Sequence, residues 1–449
     1  MKSISVSIKT VRQSMRMDGS YHNADINIYD NTLHNHSSHC LNFYCSNIYT
    51  TGRGRRVYTR PERGVPFLSN SDMMAQNPLM SCNYMSRKYG YDESSVLKGG
   101  MILTGRVGAI GQTAFVPNYW EKYKMMGSDN IIRIVVKDEF KNGFIYAYLA
   151  SKYGNLSFWK HATGGVQPFI TDKMVANLPI PDFPASFQQE VDDLIQESAR
   201  LREEAADALQ QAIQQVEDII PYPSKKNVGC VSSRTILSSH NRRFEANYYI
   251  SEGHDIEKYI YKNFKWKPLG QVCEDISRPD IFKRFYVQNG IVFLGGADIF
   301  LASPDSKKQL SKTKTTNISS LAIKENTILI PRSGTIGNVA WAHAGHAQKL
   351  ASEDVIRLQP NDILRGGYIY AFLSSSIGKA LIQKHIFGSV IQHIEPPHLK
   401  LIPIPVIEDS IIDNIHKLVI EYSKKVGKAI ENERQAISMI EQEIESWTK

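Results

Sequence analysis

Residues 186–220, SFQQEVDDLIQESARLREEAADALQQAIQQVEDII, decide how this chain is organised. The stretch holds neither Pro nor Gly and runs directly into Pro221, so it predicts one long helix. Val191, Leu194, Leu201, Ala205, Ala208, Ala212 and Ile219 recur at steps of three, four and seven, the spacing of a coiled-coil seam. Such a seam requires a partner. It is found from Asp409 onward, where Ile412, Ile415, Val419, Tyr422, Val426 and Ala429 repeat the pattern. The two helices divide the chain into a globular region over 1–185, a helix over 186–220, a second globular region with an N-terminal linker over 221–408, and a helix over 409–449. At about 1.5 Å per residue the central helix is roughly 50 Å long, enough to act as a ruler between two globular regions.

The chain has 449 residues, of which 42% are hydrophobic and 22% charged, which fits an ordinary folded protein of several domains. Nothing in it approaches the run of about 18 apolar residues that spans a bilayer. The polar start MKSISVSIKTVRQS lacks the apolar core of a signal peptide, so a cytoplasmic location is expected. Cys40, Cys45, Cys82, Cys230 and Cys273 form an odd, sparse set that argues against a disulfide framework. The net charge of +8 is unevenly spread. Residues 186–220 carry −7 and residues 408–447 carry −4, leaving +19 on the rest. Globular regions this basic point to a polyanion, and nucleic acid is the usual one.

Read against itself, the chain shows one large internal repeat. Arg16-Met17-Asp18-Gly19-Ser20-Tyr21 faces Arg243-Phe244-Glu245-Ala246-Asn247-Tyr248, and Gly64-Val65-Pro66-Phe67-Leu68 faces Gly290-Ile291-Val292-Phe293-Leu294. Arg106-Val107-Gly108-Ala109-Ile110-Gly111 faces Arg332-Ser333-Gly334-Thr335-Ile336-Gly337. Ser128-Asp129-Asn130-Ile131-Ile132-Arg133 faces Ser352-Glu353-Asp354-Val355-Ile356-Arg357, and Leu178-Pro179-Ile180-Pro181 faces Ile402-Pro403-Ile404-Pro405. Blocks in one order over two halves mean a duplicated domain plus helix. Short β-branched runs such as MILTG, TAFVP and NIIRIVV read as strands, and GFIYAYLASKYGNLSFWKHA and GGYIYAFLSSSIGKALIQKHI each read as a helix. The stretch from His22 to Thr51 is polar, His-rich and without a counterpart block.

This order of blocks, an R(M/F)(D/E)xxY entry, GxxFL, RxGxIG, an (L/I)PIP exit and then a long helix, all twice, resembles the specificity subunits of Type I restriction-modification systems. The resemblance covers essentially the whole chain. It implies an α+β fold of two repeated mixed α/β target recognition domains, each followed by a long helix, the two helices forming an antiparallel coiled coil. It also implies double-stranded DNA as target, two modification (methyltransferase) subunits and restriction (motor nuclease) subunits as partners, and S-adenosylmethionine on the modification subunits and not on this chain. Adenine would be methylated at a bipartite site. A targeting subunit of another phage-defence complex would be built from the same domains.

The residues expected to meet DNA are basic and aromatic. Arg53, Arg55, Arg56, Arg60 and Arg63 crowd TGRGRRVYTRPERG together with Tyr58, and Arg both neutralises phosphates and forks onto guanine. The second copy offers Lys283, Arg284 and Tyr286, then Lys307, Lys308, Lys312 and Lys314. Because the two surfaces differ, an asymmetric target is expected. Arg106 and Arg332 stand at one repeated point, suited either to the DNA backbone or to a structural salt bridge. The spacing of GRVGAIG and RSGTIG matches neither nucleotide-binding loop, so both read as tight turns.

Other clusters read as structural. His34, His36, His39, Cys40 and Cys45 supply zinc-type ligands, but in no recognised spacing. His161 and His385 follow a Lys at the end of an apolar helix and read as satisfied structural residues. Pro279-Asp280 with Asp305-Ser306-Lys307 outlines a metal-dependent nuclease, yet the first copy lacks it. Glu395-Pro396-Pro397-His398 lacks the acid or amide and the aromatic of an adenine methyltransferase loop. A non-catalytic chain with no cofactor or metal of its own is therefore expected, targeting a larger enzyme.

Overall fold

The computed structural model describes residues 5–19, 21–22, 32–33, 36–224, 228–239, 242–388 and 390–447. The long helices span Ala185–Ile219 and Asp409–Ser446. The chain resolves into two units, Met1–Glu203 with Lys428–Lys449 and Glu204–Gly427, so each unit owns one globular copy and a segment of both helices. Among the described residues no helix is long and apolar enough to cross a membrane.

In the second unit Glu204 meets Lys425 at 2.9 Å and Gln215 accepts from Asn414 at 3.0 Å, so rising numbers on one helix meet falling numbers on the other. The segments are antiparallel. Ile412, Ile415, Val419, Tyr422 and Val426 are all buried there, with Ala205, Ala208, Ala212 and Val216 from the first helix. Ile219, placed on the seam by its spacing, is only half-buried. Val216, four residues after Ala212, occupies the last seam position instead, and the helix stops before the buried Ile220. In the first unit Val191 and Ile195 share a core with Ala436, Ile440 and Ile444 and with Phe144, Ile145 and Tyr148 of the globular copy. At about 25 cal/mol per Å² such apolar burial is the main stabilising term.

The first copy carries an antiparallel sheet in the order Cys45–Tyr49, Ile131–Val136, Ile102–Gly105, Thr113–Phe115. A second sheet runs Tyr58–Thr59, Asn83–Ser86, Gly64–Leu68, Met126–Gly127, its last pair parallel. The second copy repeats this as Cys273–Ser277, Val355–Pro360, Ile328–Pro331, Ala340–Trp341, and as Gln309–Leu310, Tyr286–Leu294, Leu350–Ala351 with the same parallel pair. The register repeats as well: Leu103 opposes Arg133 and Leu329 opposes Arg357.

Pro179–Pro181 and Pro403–Val406 form two-stranded edges with Ser38–Cys40 and Lys265–Pro268, positions that tolerate proline's missing donor. The amides of Leu41 and Leu269 each donate at 2.8 Å to the carbonyl before PIP, of Leu178 and Ile402. Residues 38–49, the end of the stretch without a counterpart block, therefore have a structural counterpart in residues 265–277. Backbone pairing carries most of the likeness there, with Leu41 and Cys45 answered by Leu269 and Cys273.

Each stretch read as one aromatic helix is two. Asn142–Ala150 and Lys152–His161 are separated by the extended Ser151, whose hydroxyl accepts from the Gly154 amide at 3.2 Å. Ser375 does the same for Gly378 at 3.2 Å between Gly366–Ser374 and Ser376–Lys384. Serine as N-cap outcompetes helix continuation here. A Cβ on Gly154 would lie 2.3 Å from the Tyr148 carbonyl oxygen and one on Gly378 2.2 Å from that of Phe372, so the sharp turn admits only glycine.

Both long helices cap these short ones. In the first unit Asp192 accepts from the Gly143 amide at 2.7 Å and Glu441 from the Lys152 amide at 2.6 Å. In the second unit the roles exchange: His416 of the second helix accepts from Gly367 at 3.1 Å and Glu217 of the first from Ser376 at 2.8 Å. The orphan donors of four helix starts are thus met by side chains from the coiled coil.

Candidate nucleic-acid interface

The repeated arginines have structural duties. Arg16 forks onto Asp18 at 2.7 and 2.8 Å, donates to the Lys160 and Ala162 carbonyls, and lies over the Tyr21 ring. Arg243 forks onto Glu245, donates to the Ile386 carbonyl and lies over Tyr248. The R(M/F)(D/E)xxY entry is therefore a clasp that closes the end of a helix. Arg133 is fully buried and donates to the Ser128, Ile131, Gly127 and Ser95 carbonyls. Arg357 donates to those of Val355, Ala351 and Leu321. Burial pulls both guanidinium pKa values down to about 10, which leaves them charged at neutral pH.

These buttresses hold a concave site in each copy. In the first, Arg56 is ion-paired with Asp129 and lies 5.6 Å from the Phe67 ring, with Tyr58 beside both, its ring centroid 6.2 Å from that of Phe67. In the second, Arg284 meets Glu353 at 2.6 Å, lies 5.3 Å from the Phe293 ring, and Tyr286 stands 6.4 Å from Phe293. The two frames are residue-for-residue equivalents. The hydrogen bond that each guanidinium donates to its acid raises the pKa of Arg56 and of Arg284. Burial alone would raise that of Glu353, but the Arg284 hydrogen bond and charge outweigh it and keep it lowered.

Each frame walls a cleft, about 480 Å³ in the first copy and about 340 Å³ in the second. The RxGxIG turn forms part of both, through Gly108 and Gly334, whose φ values of +76° and +78° are in the left-handed region that glycine adopts without strain. Asn70 donates to the Val107 carbonyl at 2.8 Å and ties the first turn down. Beside each turn, bridged to it through Phe169 or His393, a loop carries a fully exposed valine, Val166 or Val390.

The other expected DNA contacts are placed as follows. Arg53, Arg55, Arg60 and Arg63 are exposed on the loop leading into and out of Tyr58–Thr59 and carry no ion pair among the described residues. Lys283 is exposed over Phe285, and Lys307, Lys308, Lys312 and Lys314 are exposed around the strand Gln309–Leu310, with Lys308 alone of the four lining the cleft. Arg332 takes the salt-bridge alternative, 2.7 Å from Glu395 and 3.5 Å from Asp354, while Arg278 holds the other oxygen of Glu395 at 2.9 Å. Arg106 has no side-chain partner among the described residues.

Sequence reading missed Phe67, Asp129, Phe293 and Glu353 as site residues, although all four sit in matched blocks. Of the zinc-type cluster, His34 lies outside the described residues, His36 stacks on Trp447 at 4.0 Å and His39 on Phe43 at 4.4 Å. Cys45 and Cys273 are equivalent buried thiols beside the same strand irregularity, both pushed up to about 12 by burial. His161 Nδ1 donates to the Ser157 carbonyl, 2.9 Å away. Among the described residues no group of three His, Cys, Asp or Glu is set to hold a metal, and Asp305 of the nuclease outline is ion-paired with Lys349 at 2.5 Å.

Residues 261–442 match the family model of the Type I restriction modification DNA specificity domain. The match runs from the second copy into the last helix and covers less than half of the chain. No curated protein sequence matches. Among solved structures, the S subunit of the Type I restriction-modification system from M. genitalium is 12% identical, with a TM-score of 0.34, over 92% of this chain and 95% of that one. The HsdS subunit from Thermoanaerobacter tengcongensis is 15% identical, with a TM-score of 0.28, over 90% and 95%. A chain from a study of complex assembly and conformational transition of the type I R-M system is 14% identical, with a TM-score of 0.30, over 92% and 96%. The likeness to a DNA specificity domain rests on the family match over the second copy and the helix after it.

Proposed function

We propose that this chain is the DNA specificity subunit of a Type I restriction-modification complex, reading a bipartite, asymmetric target. The observation that carries this is the duplicated cleft, present in each copy of a chain whose second copy matches the Type I DNA specificity domain. The surrounding charge supports it: exposed Arg53, Arg55 and Arg60 in one copy and Lys307, Lys312 and Lys314 in the other suit a phosphate backbone. The copies share a frame and differ in lining, as two modules reading unlike half-sites would.

Methylation of adenine and cleavage belong to partner subunits in this reading. Two modification subunits grip the coiled coil and bind S-adenosylmethionine, restriction subunits supply the motor nuclease, and this chain supplies the address. The test is to express the chain with and without its modification subunit and to sequence methylated adenines. The pair should mark one split motif, and the chain alone should mark nothing. Methyl transfer by the isolated chain, or marking without a split motif by the pair, would refute the proposal.

A further inference from the structure

The clefts differ where the frame does not constrain them. In the first, Asn83 is directly opposite Phe67 in the sheet, and Asn130 follows the Asp129 that anchors Arg56. In the second, the residue opposite Phe293 is Lys308, whose carbonyl accepts from the Phe293 amide at 2.9 Å, and Asp354 follows Glu353. Gln112 adds a third exposed carboxamide to the first cleft. Equivalent backbone positions thus present two amides in one copy and a cation with an acid in the other.

Groups that can donate and accept at once differ from groups that only donate or only accept. A carboxamide can fork onto the N6 and N7 edge of adenine, an ammonium donates to O6 and N7 of guanine, and a carboxylate accepts from N4 of cytosine. Asn83, Gln112 and Asn130 have no side-chain partner among the described residues, and Lys308 carries no ion pair. Asp354 is only loosely held, 3.5 Å from Arg332. Arg56 and Arg284 cannot be the discriminating groups, since each is committed to its acid.

We infer that each cleft is the base-reading site of its half-site, with Asn83 and Asn130 reading an A·T pair in one half and Lys308 and Asp354 reading a G·C pair in the other. This rests on the specificity-subunit reading. The shared Arg–acid–aromatic frame positions the duplex, and the two exchanged positions select the base.

The experiment swaps the lining chemistry in the complex with the modification subunit. Asn83→Lys and Asn130→Asp, Lys308→Asn and Asp354→Asn, and the alanine variant at each position are compared with the unaltered chain. Two readouts are taken: sequencing of methylated adenines, and selection of bound duplexes from a randomised library, which reads the motif even where methylation is lost. Each first-copy variant should relax or shift preference by about 5- to 150-fold at one or two base pairs of one half-site. Each second-copy variant should do so in the other half-site, with the unaltered half retained. Variants that select the original motif in both half-sites, or that alter the half-site of the other copy, would overturn the inference. Failure of the unaltered complex to select a split motif would instead overturn the specificity-subunit reading, so the two failures are distinguishable.

Discussion

Arg357→Met tests whether the buried guanidinium holds the second cleft in place. Methionine keeps the apolar stem and most of the volume but removes donors to three carbonyls, those of Val355 at 2.8 Å, Ala351 at 2.8 Å and Leu321 at 3.0 Å. Arg357 is 7% exposed, so water does not readily replace it. At about 1 kcal/mol for each stranded acceptor, the low end of the range, the loss is about 3 kcal/mol, or roughly a hundredfold in the opening equilibrium. Hydrogen exchange on the whole chain should show that loss of protection in Leu350–Ala351 and Val355–Pro360. Strand Ile131–Val136 of the first unit, buttressed by its own Arg133, should be unchanged. Because Ser352, Glu353 and Asp354 lie between the two strands, half-site selectivity should weaken in one half only. Arg357→Lys should recover part of the protection, since an ammonium lacks the planar fork. Protection within twofold of the unaltered chain in the Met variant would refute the reasoning.

Three other outcomes are expected. His346, 2% exposed with its Nε2 2.9 Å from the Ile299 carbonyl, has its pKa pushed down to about 4, chiefly by burial. Its neutral form is the folded one, so its contribution to stability is complete above the unfolded value of about 6.5 and is lost as pH falls toward 4, at about 1.4 kcal/mol per pH unit; urea titrations from pH 7 to 4 should show a shallower pH slope for His346→Gln. Arg53→Ala with Arg55→Ala should make DNA binding less salt-dependent, by about 0.9 in log–log slope for each phosphate the protein no longer neutralises, measured by titration from 50 to 200 mM salt. Arg56→Ala, whose guanidinium is held by Asp129, should instead blur one half-site with the salt slope unchanged, as the library selection would read.

The repeat, both long helices and most strands were legible because they depend on local pattern: period, Pro and Gly punctuation, and blocks in order. The helix breaks at Ser151 and Ser375 were not, because a capped turn and a continued helix look alike when the flanking residues are apolar. The counterpart of residues 38–49 was hidden because an edge strand is specified by its backbone. Glu395 shows the third limit. It gathers Arg278 and Arg332 from 117 and 63 residues away, a contact between loops that no local spacing announces. For the cleft, the frame was legible only as matched letters. Phe67 with Phe293 and Asp129 with Glu353 were visible as repeats, but their convergence on Arg56 and Arg284 needed the fold.

The division between repeated and unrepeated cations bears on what the duplication preserved. Arg16 with Arg243, Arg56 with Arg284, and Arg133 with Arg357 are repeated, and every one of them is spent on a carboxylate or on backbone carbonyls. Removing any of them would leave a carboxylate or a backbone carbonyl without its donor, so both copies of the frame carry them. Arg53, Arg55, Arg60, Lys307, Lys312 and Lys314 carry no ion pair among the described residues, and no block of the repeat reproduces them. Arg106 with Arg332 is the instructive exception: one position, yet Arg332 is tied to Glu395 while Arg106 has no side-chain partner among the described residues. Where the scaffold releases a position, the two copies have diverged, and the released positions are those that face the clefts or stand exposed around them. A two-part address with unlike halves follows from that freedom, since a reader must be free to change while the frame that aims it must not.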